Sequence, residues 1–203
     1  MSTTQFNTTA TISTKIYNYG YYPLLKSDIA PLFSLNREQL VSVQHFLDLQ
    51  QPLVIAFLGH SEGASSSLKA LSALHEQVLE NGGNLIILTN NISRSFKKKV
   101  AEQNTLTVFF DEDNEIAEKF GLFDETNPLN NWLSGLDDAN TALPALYVIA
   151  PDRQITFHHI DYQFSLFRSE VLATSIVESL LDNVSTLATS YNYLSKWRNK
   201  LVS

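Results

Sequence analysis

The chain has 203 residues, 44% of them hydrophobic, so it can bury a sizeable core, and its length suits one domain with terminal extensions. Its 14 Lys and Arg against 21 Asp and Glu give a net charge of −7, with one dense basic cluster at 94–99, which argues against a nucleic-acid partner. The absence of cysteine excludes disulfides, thiolate nucleophiles and cysteine-based metal sites.

Predicted strands and helices alternate along the chain after an aromatic-rich, irregular arm that covers about the first 20 residues. Continuous apolar runs predict buried strands at 53–58, 85–88, 106–110 and 146–149, and 155–160 should form a hairpin with the last of these. Helical spacing of apolar residues predicts helices at 65–79, 93–101, 115–120 and 169–181. A polar stretch at 124–140 should contain a helical turn near Trp132, and a further helix is expected after Asn183.

A G-x-S-x-G pattern occupies residues 59–63, between the first predicted strand and the first predicted helix. In an α/β-hydrolase this turn would make Ser61 the nucleophile of an esterase. Such an enzyme carries several strands before the serine and a catalytic histidine late in the chain, whereas here one confident strand precedes Ser61 and no histidine follows His159. We therefore treat the serine hydrolase as an alternative.

Six short segments, in order, resemble motifs of the alkyl hydroperoxide reductase and thiol-specific antioxidant family, the peroxiredoxins. These are residues 30–35 (APDFSL), 40–43 (xVSL), 52–57 (PVVLxF), 109–112 (hLSD), 116–122 (xAxxFGL) and 143–152 (LPATFVIDPDG). A seventh, from Asp161 to Arg168, is similar to the DYxxR of a peroxiredoxin-like subgroup. The resemblance implies a thioredoxin-like α/β fold, a three-layer sandwich around a central mixed β-sheet, and a homodimer.

The same resemblance places Ser61 where peroxiredoxins carry the peroxidatic cysteine. That cysteine lies at a helix N-terminus near a Thr three residues earlier and an Arg on a later strand, which lower its pKa. Here Leu58 stands in place of the Thr and Pro144 in place of the Arg. The resemblance also implies a cis Pro144 facing the Ser61 loop, although trans is the usual isomer of an X-Pro bond.

The residues around Ser61 suggest a different kind of site. Free N–H groups at the start of the following helix can bind a small anion or polar ligand. Candidate ligand-binding residues are His60, Ser61, Glu62, Pro144 and Arg168. His158 and His159 are adjacent on a predicted strand and point to opposite faces, so they cannot form a simple metal pair, and we expect no metal or cofactor.

We expect an N-terminal arm at 1–27, a thioredoxin-like domain at 28–182 and a C-terminal helical tail at 183–203. No apolar run approaches the ~20 residues that span a bilayer, and residues 1–14 lack the apolar core of a secretory signal, so the expected location is cytoplasmic, without membrane contact. A serine cannot replace a thiolate in peroxide reduction. The sequence therefore predicts a redox-inactive binding, scaffolding or regulatory protein, the alternatives being the esterase and an engineered or divergent peroxidase homologue.

Overall fold

The structure is a computed structural model. It describes residues 20–36, 41–47, 49–59, 64–103, 105–131, 133, 136, 138–164 and 172–183. The predicted helix after Asn183 lies outside these residues, as does Trp132.

A five-stranded sheet forms the middle layer. Two short strands and a short helix come first, β1 (Ser34–Asn36), β2 (Val41–Ser42) and α1 (Val43–Leu47). The large sheet follows with β3 (Leu53–Phe57), β4 (Asn84–Thr89), β5 (Thr107–Phe110), β6 (Ala145–Ile149) and β7 (Ile155–Ile160). Its strand order is β5-β4-β3-β6-β7, with β3, β4 and β5 parallel and β6 and β7 antiparallel to their neighbours. The predicted mixed sheet and its terminal hairpin are confirmed.

Helices cover both faces of this sheet. They are α2 (Ala64–Glu80), α3 (Arg94–Glu102), α4 (Glu115–Lys119) and α5, residues 172–183, and a 3-10 turn at Leu129–Asn131 precedes Trp132. Each predicted strand is found to within one residue at either end, as are the first three predicted helices. Strand termini are less certain than strand cores because the pairing frays there, so an error of one residue is small.

Alternate residues of β3 supply two separate cores, one on each face. Leu53, Ile55 and Phe57 pack on the side of α1, α4 and the N-terminal segment. The residues between them, Val54 and Ala56, pack on the side of α2, α3 and α5. Every residue of β3 is fully or almost fully buried, and this explains why its sequence is continuously apolar rather than alternating.

Residues 21–30 belong to the first of these cores. Tyr21 is 1% exposed, and Ile29 forms an antiparallel bridge with Gln154 at the start of β7. The Ser27 N–H donates to the Ile155 carbonyl at 2.8 Å, and the Ala30 N–H donates to the Arg153 carbonyl at 2.9 Å. The end of the predicted arm therefore packs on its own domain and covers part of the β7 edge.

Candidate functional site

The carboxyl end of β3 leads directly into the G-x-S-x-G turn. Leu58 is fully buried, and its N–H donates to the Leu88 carbonyl at 2.9 Å, so the chain stays attached to β4 past the end of the strand. Gly59 follows with a φ of +61°. His60, Ser61, Glu62 and Arg168 lie outside the described residues, so the structure brings none of these four candidates to a defined position.

Pro144 lies against this turn, as the sequence predicted. A Cβ on Gly59 would be 3.8 Å from Pro144 Cγ and 2.6 Å from the Ala142 carbonyl oxygen. No cis peptide bond occurs among the described residues, so the Leu143–Pro144 bond is trans and the expectation of a cis isomer is wrong. The two described neighbours of the turn, Leu58 and Pro144, are apolar, and they offer no charge where a peroxiredoxin carries its Thr and Arg.

The space beside Gly59 is almost filled. A hollow of about 10 Å³ lies at the carboxyl ends of β3, β4 and β5, which is close to the smallest cavity that holds one water molecule. Its walls include Gly59, Asn90, Asp111, Asn114 and Ala142. This part of the molecule offers no room for a substrate larger than water.

Buried amides tie the walls of the hollow together. The side-chain amides of Asn90 and Asn114 both donate to the Asn140 carbonyl, the second at 3.0 Å, and Asn114 Nδ2 also donates to Asn140 Oδ1 at 2.6 Å. Asn90 is 4% exposed, and its Oδ1 has no hydrogen-bond partner among the described residues. One water in the hollow would supply that partner.

Asp111 holds the start of α4. Its carboxylate accepts the Ala117 N–H at 2.9 Å and the Ile116 N–H at 3.1 Å. Burial raises the pKa of Asp111 above its ordinary value of 3.8; the two N–H donors oppose that rise, and nearby Glu115 and Asp113 add to it. The sequence analysis did not single out Asp111, although an Asp directly after a buried strand and before a helix is a signal for such a cap.

The two histidines of β7 face opposite sides of the sheet, as predicted. His158 is paired with Tyr147, whose side chain packs in the core on the α4 side, and His159 is paired with Leu146, which packs in the core on the α2 side. His159 is two strands away from Ala56 of β3, a separation of about 10 Å. No group of three or more His, Asp and Glu side chains in the described part of the chain is placed to hold a metal.

His158 fastens the N-terminal segment to β7. The Lys26 N–H donates to His158 Nδ1 at 2.9 Å, so this imidazole is neutral and carries its proton on Nε2. Burial lowers the pKa of His158 from 6.5; His159 and Lys26 lower it further, while Asp28 opposes the shift. Burial also lowers the pKa of His159, with Asp161 opposing.

Acidification is therefore expected to destabilise the fold through His158. The stabilisation is complete above pH 6.5, the ordinary histidine pKa, because both folded and unfolded chains are then neutral at this site. It is lost as the pH falls from there through the lowered folded value, since the unfolded chain binds the proton first. Urea unfolding between pH 5 and 8 should show a smaller drop for His158→Gln than for the wild type, and equal drops would contradict the assignment. His159→Gln is the matched control and should leave the His158 share in place.

Within the described residues, no helix is long and apolar enough to cross a membrane.

Comparison with solved structures places the fold among the peroxiredoxins. Peroxidoxin BcpB from Mycobacterium tuberculosis is 16% identical with a TM-score of 0.58, over 77% of this chain and 96% of its own. PrxQ from Xylella fastidiosa, solved as a cysteine-to-serine mutant, is 14% identical with a TM-score of 0.55, over 79% and 97%. AhpC from Mycobacterium tuberculosis is 12% identical with a TM-score of 0.54, over 78% and 94%. At these identities the likeness establishes the thioredoxin-like fold alone.

Sequence comparison gives the family. No curated protein matches the chain. The sequence profile of the AhpC/TSA family matches residues 27–158, which is well over half of the chain. Together with the ordered motifs, the mixed sheet and the position of Pro144 beside the Ser61 turn, this match shows that the chain belongs to the AhpC/TSA family.

Proposed function

We propose that this member of the AhpC/TSA family is redox-inactive and acts through its surface, in a binding, scaffolding or regulatory role. The observation that carries the proposal is the absence of any cysteine from the 203 residues. Peroxide reduction by the family mechanism needs a thiolate as the nucleophile and a sulfur that cycles through a sulfenic acid. A serine hydroxyl at position 61 supplies neither.

The surroundings of the turn favour an interaction protein over a degenerate peroxidase. Leu58 and Pro144 provide no hydrogen-bond donor to hold peroxide oxygens, and the hollow beside Gly59 has a volume of only about 10 Å³. Catalytic sites need donors that are already aimed at the reacting atoms. A small anion bound by the first turn of α2 with His60, Ser61, Glu62 and Arg168 remains part of the proposal, as the one ligand this end of β3 would accept.

Restoring the thiol is expected not to restore the peroxidase. In Ser61→Cys, hydrogen peroxide should oxidise the new cysteine at a rate within about tenfold of a control cysteine, because one unit of pKa changes the thiolate fraction tenfold and nothing at Leu58 or Pro144 lowers it further. The control is Thr105→Cys, in the exposed turn between α3 and β5. Stopped-flow or mass-spectrometric measurement of sulfenic acid formation compares the two.

Two results would replace the proposal. Oxidation of Ser61→Cys many orders of magnitude faster than the control would mean that the peroxide site is intact and that only the sulfur is missing, as in an engineered or divergent peroxidase. Covalent labelling of Ser61 in the unmodified chain by a fluorophosphonate probe would instead establish the serine hydrolase that the Gly59–Gly63 pattern allows. The family membership favours neither result.

A cytoplasmic homodimer belongs to the same proposal. In the described part of the chain, β7 is the edge of the large sheet, and residues 26–30 cover only its beginning. An uncovered strand edge presents N–H and C=O groups that pair readily with a second chain. Light scattering during size-exclusion chromatography gives the mass that tests it.

A further inference from the structure

A large groove lies at the end of the molecule opposite Ser61. Leu53, at the start of β3, pairs with Ile149, whereas Phe57 at its end pairs with Ala145, so the turn between β6 and β7 sits at the start of β3. The groove runs between this turn, β7 and α5, and its volume is about 840 Å³. It is therefore separate from the family's reaction centre.

Hydrogen bonds hold the two walls of the groove at a fixed separation. Thr156 on β7 is their hub, because its hydroxyl lies 2.9 Å from Ser179 Oγ and accepts the Asn183 side-chain amide at 3.0 Å. The same hydroxyl lies 3.3 Å from the Val148 carbonyl and donates to it. Since Ser179 and Asn183 belong to α5, the groove is formed before anything binds in it.

The lining is acidic with an apolar strip. Carboxylates of Asp152, Glu178 and Asp182 line it against the single ammonium of Lys26, and Phe157 and Pro151 add apolar surface. An occupant that matches these walls carries several positive charges and some apolar side chains. The rest of this acidic chain offers few segments of that kind.

Residues 184–203 meet both requirements. This segment starts at Asn183, which itself lines the groove, and its 20 residues (203 − 183) contain Lys196, Arg198 and Lys200 and no Asp or Glu. Leu187, Tyr191, Leu194 and Trp197 recur within it at spacings of three and four. Twenty residues reach about 30 Å as a helix and about 66 Å when extended, so the segment is long enough to fold back along α5.

We infer that residues 184–203 dock in this groove of their own chain, with the basic side chains of the segment on the carboxylates of Asp152, Glu178 and Asp182. The segment then closes the α5 face, and a partner with a basic amphipathic stretch would have to displace it. This docking is independent of any chemistry at Ser61.

Carbodiimide cross-linking of the full chain tests the inference, because this reagent joins a lysine amine to a carboxylate that it touches. We expect cross-links from Lys196 or Lys200 to Asp152, Glu178 or Asp182, identified by mass spectrometry. They should disappear in about 1 M salt, where charges are screened within about 3 Å. Lys97 and Lys98, exposed on α3, serve as internal controls and should give no cross-link to these carboxylates.

An equal mixture of ¹⁴N- and ¹⁵N-labelled chains separates the possible occupants. Cross-linked peptides carrying one isotope only support docking in the same chain, and mixed-isotope peptides would overturn it in favour of a second copy. The absence of these cross-links would also overturn it. Glu178→Gln should abolish the cross-link to position 178 while Glu76→Gln, on the exposed face of α2, leaves the pattern unchanged.

Discussion

Replacing Gly121 by alanine is expected to lower the free energy of unfolding by about 3 kcal/mol or more. Gly121 has a φ of +68°, and a Cβ there would lie 2.1 Å from the Tyr22 carbonyl oxygen and 2.5 Å from the Tyr22 carbonyl carbon. Both are backbone atoms, and the Leu24 N–H binds the Phe120 carbonyl beside them at 3.0 Å, so neither chain can move aside cheaply. The variant should detach the N-terminal segment from α4.

Gly82→Ala is the matched control. Gly82 and Gly121 end their helices with the same pair of hydrogen bonds, in which the glycine N–H reaches back three residues and the next N–H reaches back five. Gly82 has a φ of +75°, but no atom lies within 4 Å of its Cβ position. Its substitution should cost about 1 to 2 kcal/mol, the price of the left-handed backbone alone. Urea denaturation measures both, and equal losses would contradict the close approach to Tyr22.

The contrast between these glycines shows what the sequence could predict. Gly82 follows a long apolar-periodic helix, and the sequence predicted that helix and its end at this point. Gly121 ends a helix of five residues, and its need for glycine comes from Tyr22, about a hundred positions earlier. Local pattern carries the first kind of information, whereas contacts between distant segments require the fold.

The same division applies to the candidate site. The motifs predicted that Pro144 lies beside the Ser61 turn, because the family order fixes which strands are neighbours. They did not predict the amide cluster, in which Asn90, Asn114 and Asn140 meet from three separate loops. An Asn in a loop is common, and nothing in its immediate sequence says that it is buried.

Peroxide chemistry and fold stability have separate determinants in this chain. The stabilising contacts at the carboxyl end of the sheet come from Asp111 and the buried amides on β4, β5 and their loops, whereas the reaction centre of the family lies after β3. The cysteine can therefore be replaced without loosening the sheet. A chain that keeps the first set and lacks the thiol retains a rigid body for binding, which is the role proposed for it.

Asp111→Ala is expected to lower the free energy of unfolding by about 2 to 4 kcal/mol, because it leaves the buried N–H groups of Ile116 and Ala117 without an acceptor at the start of α4. Asp111→Asn is the matched variant, since its amide oxygen can still accept from Ala117. The asparagine variant should retain most of the stability that the alanine variant loses. Losses of equal size would mean that Asp111 does not cap α4.

The dependence of this difference on pH gives the second readout. The folded-state pKa of Asp111 is raised, so the stabilising contribution of its neutral form is present below its unfolded pKa of about 3.8 and is lost as the pH rises through the folded value. Asparagine does not ionise, and the other carboxylates are common to both proteins. The stability of Asp111→Asn relative to the wild type should therefore increase from pH 3 to pH 7. A decrease over that range would mean that the N–H donors outweigh burial and hold the carboxylate in its charged form.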